Sequence, residues 1–338
     1  MATKKISIYT YDGSGSLGAT FTNGPYVATE SGLTYRGGGY PATLGTMLRA
    51  YDPLTWEWKP MDYKPLIFGA AASIERGLEM GRTQIIDDPN YIVLSGLSQG
   101  TFITSNLYNE FRYGALQDKK DDLIAIVNFG DALRPEGWTI PEGGASKYLG
   151  HAEEDVIDPG GHGACMFPIP LSYGDHTGQL VDPEDFYWSF ANMNDPATTI
   201  FSDDAGMLQS EFAYDMGHAE GEGIDQVVDF AQDMARYFIA KYQPLGYPLP
   251  LIKDVIAALA QWIPFKIPND LAGIEIPGAN PHGKYGNPDP YTSLDNNTKS
   301  AVTLGFEYLS KLGREYAGDP MDVVLGSPTT VGWWVNPP

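Results

Sequence analysis

Residues 96–100 read GLSQG, a pattern in which glycines lie two positions before and two positions after a serine. A serine on a tight turn between a strand and a helix needs such glycines, because a Cβ atom at either position would collide with the turn. The flanking sequence fits this context, since residues 91–94 form an apolar, β-favouring run and residues 101–111 carry apolar side chains at helical spacing. The pattern therefore predicts that Ser98 is a nucleophile for acyl transfer. An ordinary Gly-Ser loop before a helix is the alternative.

A serine hydroxyl becomes a strong nucleophile only when a base accepts its proton and a carboxylate orients that base. With a strand–turn–helix motif of this kind, the acid and then the histidine follow the serine along the chain. His282 is the favoured base because it lies in a Gly-, Pro- and Asn-rich loop, whereas its rival His218 opens a helical region. The earlier histidines precede the acid and are interpreted as solvated loop residues: His151, His162 and His176.

Asp195 is the favoured carboxylate. It follows a dense aromatic run at residues 186–191, which predicts a strand, and it precedes Pro196, which would hold it on a rigid turn. Asp203 and Asp204 follow another short apolar stretch and remain alternatives. A turn-capping role for Asp195 is a further possibility that the sequence leaves open.

Negative charge that develops on a substrate oxygen needs backbone N–H donors, one from the residue after the nucleophile and one from the loop after an early strand. Gln99 and Ser14 occupy these positions. Ser14 lies between two glycines, which would let the backbone approach a substrate, although an ordinary turn is the alternative. Cys165 is the only cysteine and has no activating base nearby, and the five histidines stand singly. The sequence thus predicts no internal disulfide, catalytic thiol, metal or cofactor.

Alternating strands and helices must position these residues. Apolar and helical periodicities predict strands at residues 5–11, 65–69 and 123–129 and a helix at 70–82, with a loop at 23–45. A strand–helix–strand–helix order predicts a parallel sheet that is covered by helices on both faces, so the fold class is α/β.

The second half of the chain predicts loops and an insertion. Residues 134–182 are rich in Gly and Pro and should cover the carboxyl edge of the sheet as loops. Periodicity predicts further helices over 224–242, 251–263 and 294–316. Residues 205–275 would form a helical insertion within one α/β domain that spans residues 1–338. Large side chains of this insertion predict either an acyl-binding groove or a core between helices: Met234, Tyr237, Phe238, Trp262 and Phe265.

Composition excludes several classes of partner. The net charge of −22, from 21 Lys and Arg against 43 Asp and Glu, argues against nucleic acid, because phosphate binding needs a basic surface. No apolar run approaches the roughly 20 residues that span a bilayer. The start, MATKKISIYT, runs directly into a strand without the apolar region of a secretion signal, so we expect synthesis in the cytoplasm without a signal peptide.

The GLSQG pattern resembles the G-Y-S-Q-G elbow of the cutinase-like serine esterases, with Leu97 in place of the usual Tyr. Within that group the chain resembles most the lysin B proteins of mycobacteriophages. Three features carry the resemblance: a short strand that runs into a DGSG turn at residues 12–15, the PHGKY loop at residues 281–285, and a helical insertion between acid and histidine. Secreted cutinases are braced by disulfides, which one cysteine cannot supply, and this favours the phage branch.

The resemblance implies an α/β-hydrolase that uses Ser98, Asp195 and His282, with residues 205–275 as a linker subdomain that shapes the lipid site. It implies hydrolysis of the ester between mycolic acids and arabinogalactan, a lipid ester of the mycobacterial envelope, during phage lysis. The enzyme would reach the envelope through holin lesions. A generic cutinase or lipase and an inactive phage cell-wall binding protein are the alternatives.

Overall fold

The structure is a computed structural model. It describes residues 4–13, 26–29, 32–35, 39–63, 65, 70–163, 183–195, 197–200, 203, 205–206, 208–211, 235–260, 270–271, 274–275, 281–286 and 289–317.

A sheet of five parallel strands forms the centre of the fold, in the order β4-β1-β5-β6-β7. Its strands are β1 (Ile6–Tyr11), β4 (Trp56–Pro60), β5 (Tyr91–Leu97), β6 (Leu123–Phe129) and β7 (Tyr187–Phe190). All residues of β1, β6 and β7 are buried, as expected for strands that are covered on both faces. Because the strands are parallel, their carboxyl ends meet at one edge of the sheet, where Tyr11 pairs with Gly96 and Leu97 with Phe129.

Helices cover both faces of this sheet. One face is packed by α1 (Tyr40–Tyr51) and by a long helix near the end of the chain, Ala301–Ala317, which we number α5. The opposite face is packed by α2 (Ala70–Ile86) and α3 (Gln99–Tyr113). The two resulting cores lie on either side of the strands, and the three layers confirm the predicted α/β arrangement.

Smaller elements complete the described part. They are the hairpins β2 (Tyr26–Thr29) with β3 (Gly32–Tyr35) and β8 (Asp270–Leu271) with β9 (Ile274–Glu275), the helix α4 (Leu249–Ala260), and short helical turns at Gln117–Asp122, Ala145–Leu149, Glu153–Asp155, Gln243–Leu245 and Pro281–Gly283. Residues 235–242 are also helical. No helix in the ranges given above is long and apolar enough to cross a membrane.

Two predictions of secondary structure were wrong, and a third, the strand at 65–69, lies almost entirely outside the described residues. The loop predicted at residues 23–45 contains the β2–β3 hairpin and the start of α1, whose Pro41 lies at the first helical turn where its missing N–H costs nothing. The strand beside β1 is β4, whereas Pro65 of the predicted strand is irregular and residues 66–69 lie outside the described ranges. The last helix begins at Ala301 and not at residue 294. Asn296 takes a positive φ of 52°, which is not helical, and Ser300 Oγ accepts from the Thr303 N–H at 3.2 Å as an N-cap does.

Candidate functional site

Ser98 lies on a strained turn between β5 and α3. Its φ of 50° and ψ of −115° place a non-glycine residue in a region that L-amino acids rarely adopt. The two glycines of the pattern make the turn possible. A Cβ at Gly96 would lie 2.8 Å from the backbone of Gly100, and one at Gly100 would lie 2.0 Å from the carbonyl oxygen of Tyr11. The turn therefore has the geometry that presents a serine side chain at the edge of the sheet.

Hydrogen bonds fix this turn to the end of β6. The Ser98 N–H donates to the carbonyl of Phe129 at 3.1 Å, and the Ser98 carbonyl accepts from Thr101 N and Oγ1 at 2.9 and 2.6 Å. Thr101 Oγ1 in turn accepts from the N–H of Ala132 at 3.1 Å. The serine backbone is thus bonded to both of the segments that surround it, and its unusual dihedral angles are held by several contacts at once.

A buried polar network lies behind the turn, and sequence reasoning missed it. Asn128 Oδ1 accepts from the Gly96 N–H at 3.1 Å and from Thr104 Oγ1 at 2.8 Å, while its amide donates to Tyr187 Oη at 2.9 Å. Tyr187 donates onward to Asp131 at 2.7 Å. Burial raises the pKa of Asp131 against these hydrogen bonds. The network links α3, β6 and β7 beneath Ser98. The only sign of it in the sequence is the presence of polar residues within otherwise apolar strands.

Asp195 lies beyond the end of β7, and its side chain is fully buried. Its Oδ1 accepts from the Ala197 N–H at 2.8 Å, and its Oδ2 accepts from the hydroxyl of Tyr285. His282 Nδ1 lies 3.1 Å from both carboxylate oxygens. Burial by itself would raise the pKa of Asp195, but His282 foremost, then Tyr285 and Ala197, hold that pKa below the ordinary value for Asp. Asp195 is therefore an ionised carboxylate at neutral pH.

The imidazole of His282 is 11% exposed and comes from the short turn Pro281–Gly283. Because a carboxylate only accepts hydrogen bonds, the contact with Asp195 requires the proton on Nδ1, which leaves Nε2 as an acceptor. The ring lies directly on the backbone of Gly130, where an added Cβ would be 2.6 Å from His282 Cε1. Gly130 follows Phe129, the residue that binds the Ser98 N–H. Ser98 and His282 thus flank the same short segment at the end of β6.

The turn that carries Asp195 is clamped by Arg134, a fully buried residue that sequence reasoning did not single out. Its Nε and Nη2 donate to the Thr198 carbonyl at 2.8 and 2.6 Å, and Nη2 also donates to the carbonyls of Gly160 and Gly161, each at 2.7 Å. A guanidinium has five donors in a fixed plane, so one side chain ties two loops to the acid turn.

The two predicted oxyanion residues have different outcomes. Gln99 is the first residue of α3, so its backbone N–H lies at the amino end of the helix, where the helix dipole favours negative charge. Its side chain is buried and donates to the Ala70 carbonyl at 3.2 Å. Ser14 lies outside the described residues. The neighbouring Gly13 does pass beside the turn of Ser98, since a Cβ there would lie 2.9 Å from Ser98 Cβ.

Asp12 precedes this glycine and is a buried carboxyl group. Burial raises its pKa to about 6, although backbone N–H groups of Gly39 and Ala42 favour the ionised form. Its carbonyl accepts a hydrogen bond from Tyr63. These contacts anchor the first loop to the start of α1.

The remaining candidates do not join the Asp195–His282 pair within the described residues. Asp203 is exposed and accepts from the Gly206 N–H at 2.9 Å, as a turn cap does. His162 is buried and bonds the Gly163 carbonyl at 2.8 Å, so its interpretation as a solvated loop residue was wrong. His151 lies 3.7 Å from Asp155. Asp204, Cys165, His176 and His218 lie outside the described residues.

The proposed lipid-binding side chains are only partly described. Phe238 is buried, and its ring stacks on that of Tyr242 with centroids 5.6 Å apart, as expected if Phe238 belongs to a core between helices. Tyr237 is half-exposed. Met234, Trp262 and Phe265 lie outside the described ranges. The groove itself stays a prediction.

Comparison with known proteins supports the fold. No family model matches the chain, and no curated protein matches it by sequence. Among solved structures, the chain is similar to lysin B from Mycobacteriophage D29, with a TM-score of 0.51 and 16% identity over 90% of this chain and 99% of that one. A cutinase-like protein from Cryptococcus sp. gives a TM-score of 0.37 and 12% identity, covering 65% of this chain and 98% of that one. An acetylxylan esterase gives 0.35 and 13%, covering 64% and 97%. The chain has the α/β-hydrolase fold that its sequence predicted.

Proposed function

We propose that the protein is a serine carboxylesterase in which Ser98 is the nucleophile, His282 the general base and Asp195 the group that orients His282. The observation that carries this proposal is the contact of His282 Nδ1 with both oxygens of the buried Asp195, at the same sheet edge as the strained turn of Ser98. A histidine that is oriented by an ionised carboxylate, beside a turn that carries a partly exposed serine, is the arrangement that acyl transfer requires.

The reaction has two halves. Nε2 of His282 accepts the Ser98 hydroxyl proton while Oγ attacks the ester carbonyl, and the resulting oxyanion binds backbone N–H groups of Gln99 and Ser14. The intermediate collapses, and the alcohol leaves with the proton from His282. Water then attacks the acyl-enzyme by the same route, and this step releases the acid and restores Ser98. Asp195 stays ionised throughout and stabilises the imidazolium.

The substrate that we propose is the ester between mycolic acids and arabinogalactan in the mycobacterial envelope, cleaved during phage lysis after release through holin lesions. The PHGKY loop and the first glycine-rich turn support this choice, as does a fold similar to lysin B over 90% of the chain. Residues 205–275 would serve as the linker subdomain that shapes the lipid site, within a single domain over 1–338.

A fluorophosphonate probe tests the nucleophile. Ser98 Oγ would form a bond to phosphorus and displace fluoride, and mass mapping of the adduct should find it on Ser98 alone. The variant Ser98→Ala should lose labelling. Ser95→Ala is the matched control, because Ser95 lies on β5, three residues before Ser98, and its hydroxyl donates to the Val127 carbonyl. Labelling of another residue, or none in the wild type, would contradict the mechanism.

Substrate assays then separate the candidate activities. Purified mycolyl-arabinogalactan should release free mycolic acids with the wild type and not with Ser98→Ala. Hydrolysis of short p-nitrophenyl esters without release of mycolic acids would support a generic cutinase or lipase. Failure on both substrates, together with binding to mycobacterial cell walls, would support an inactive binding protein.

A further inference from the structure

Tyr285 lies three residues after His282 and is completely buried. Its hydroxyl donates to Oδ2 of Asp195 and accepts from the Asn192 N–H at 3.0 Å. Its ring packs edge-on against Tyr40 and obliquely against Phe129, with centroids 6.1 and 6.2 Å apart. One side chain therefore joins the loop of the histidine to the loop of the acid at two points.

The hydrogen bonds to Asp195 are divided between its two oxygens. Oδ1 accepts from Ala197 and Oδ2 accepts from Tyr285, while His282 Nδ1 is equidistant from both. A carboxylate that is held by a separate donor on each oxygen cannot rotate about its Cβ–Cγ bond without breaking one of them. The Tyr285 phenol remains a donor at all working pH values, because burial, and then the charge of Asp195, raise its pKa well above that of an ordinary Tyr.

We infer that Tyr285 is a positioning residue for the proposed esterase: its hydroxyl fixes the plane of the Asp195 carboxylate and reduces the negative charge that this carboxylate presents to His282. The inference rests on the proposed function. Tyr285 acts through Asp195, so its effect should appear in the chemical step and its pH dependence and leave substrate binding unchanged.

The direction of the effect follows from electrostatics. When the Tyr285 donor is removed, the carboxylate keeps its full negative charge for His282 and stabilises the imidazolium more strongly. A larger fraction of His282 is then protonated at a given pH, and the activity falls at a higher pH than in the wild type. Within the described residues, the ionisable side chains bonded to Asp195 are His282 and Tyr285, and the Arg134 guanidinium acts on Tyr285 from a greater distance. Neither Tyr285 nor Arg134 changes charge in this range.

The test compares Tyr285→Phe with Tyr291→Phe, using p-nitrophenyl butyrate. Tyr291 is a similarly buried tyrosine whose hydroxyl accepts from the Ala191 N–H at 3.3 Å. Within the described residues it is not among the groups that bond to Asp195. We expect Tyr285→Phe to lower kcat about tenfold with KM unchanged and to move the acid limb of the kcat/KM profile upward by about half a pH unit. Tyr291→Phe should shift neither. The inference would be overturned if both variants had equal effects, or if the acid limb of the kcat/KM profile of Tyr285→Phe lay at the same pH as in the wild type.

Replacement of Tyr285 by 3-fluorotyrosine keeps the side chain's shape and makes the phenol a stronger donor. The acid limb should then move to lower pH, opposite to Tyr285→Phe, and a shift in the same direction would overturn the inference even if Tyr285→Phe folds poorly.

Histidine nuclear magnetic resonance separates this inference from the esterase proposal. The ring resonances of His282, assigned with His282→Gln, should titrate at higher pH in Tyr285→Phe than in the wild type whether or not the protein hydrolyses esters. If the wild type is inactive but the His282 resonances shift in Tyr285→Phe, only the esterase function is refuted. If the wild type is active and the His282 resonances do not shift in Tyr285→Phe, only the role of Tyr285 is refuted.

Discussion

Gly130→Ala tests the site most directly, because the backbone of Gly130 lies against the imidazole of His282. An added Cβ would lie 2.6 Å from His282 Cε1 and 3.0 Å from Nδ1, whereas ordinary contact begins at 3.4 Å. The ring must therefore retreat by about 0.8 Å, and its 3.1 Å contacts with Asp195 cannot survive unchanged. A displacement of this size in a reacting group costs on the order of 10²-fold in rate.

The substitution also strains the backbone, since Gly130 has a φ of +57°. Such a conformation costs an L-residue about 1–2 kcal/mol. Gly143→Ala is the matched control, because Gly143 has a φ of +79° but no atom of the described residues lies within 4 Å of its added Cβ. Both variants should lose similar stability, and only Gly130→Ala should lose activity.

The assay combines kcat/KM for p-nitrophenyl butyrate, the rate of fluorophosphonate labelling and the thermal midpoint. Gly130→Ala should lower kcat/KM and the labelling rate about 10²-fold, with a change in thermal midpoint no larger than that of Gly143→Ala. If Gly130→Ala retains activity within a few-fold of the control, His282 does not occupy this position during the reaction. If Gly130→Ala unfolds and Gly143→Ala does not, the added Cβ destabilises the whole fold and does not only displace the His282 ring. The position of His282 is then tested by the rate at which the fluorophosphonate labels the fraction that remains folded.

Three further predictions follow. Asp195→Asn should lower kcat about 10³–10⁴-fold with little change in KM, and a loss below tenfold would contradict its role. The pKa of Asp12 is raised to about 6, which means that the folded state holds this proton more tightly than the unfolded state. The contribution of Asp12 to the free energy of unfolding should therefore fall by about 2–3 kcal/mol between pH 4 and about pH 7, through the folded pKa, and stay level above. In urea titrations at several pH values, Asp12→Asn should abolish this contribution, whereas the exposed Asp62→Asn should preserve it. Arg134→Met should destabilise the protein by at least about 3 kcal/mol, since buried carbonyls lose their donors, and a stability equal to that of the exposed Arg76→Met would refute the clamp.

Several strands and helices could be predicted from the sequence because their signals are local. The apolar runs of β1, β5 and β6 and the helical periodicity of α2 and α3 lie within single segments. The missed strand β4 also carried a signal, since Trp56 and Trp58 are buried and alternate with Glu57 and Lys59. This alternation is typical of an edge strand, and apolar runs alone do not detect it.

The first helix was missed for a similar reason. It begins inside the range 23–45 that was predicted as a loop, yet its Pro41 is favoured at the first helical turn. The start of α5 could not be placed by periodicity, because the positive φ of Asn296 interrupts helical geometry without changing the spacing of the apolar residues.

The sequence by itself indicated the turn at Ser98, because the collision that requires Gly96 is with Gly100, four residues later in the same turn. The collision that requires Gly100 is with Tyr11 of β1, and only the tertiary structure shows it. The sequence also limited the acid and base to a few residues through their order along the chain. Only the tertiary structure decided that Asp195 and His282 meet, since 87 residues separate them and their contact depends on where β7 and the 281–286 loop lie. Tyr285 and Gly130 became visible for the same reason: a hydrogen bond or a close approach between distant segments leaves no pattern in the residues on either side.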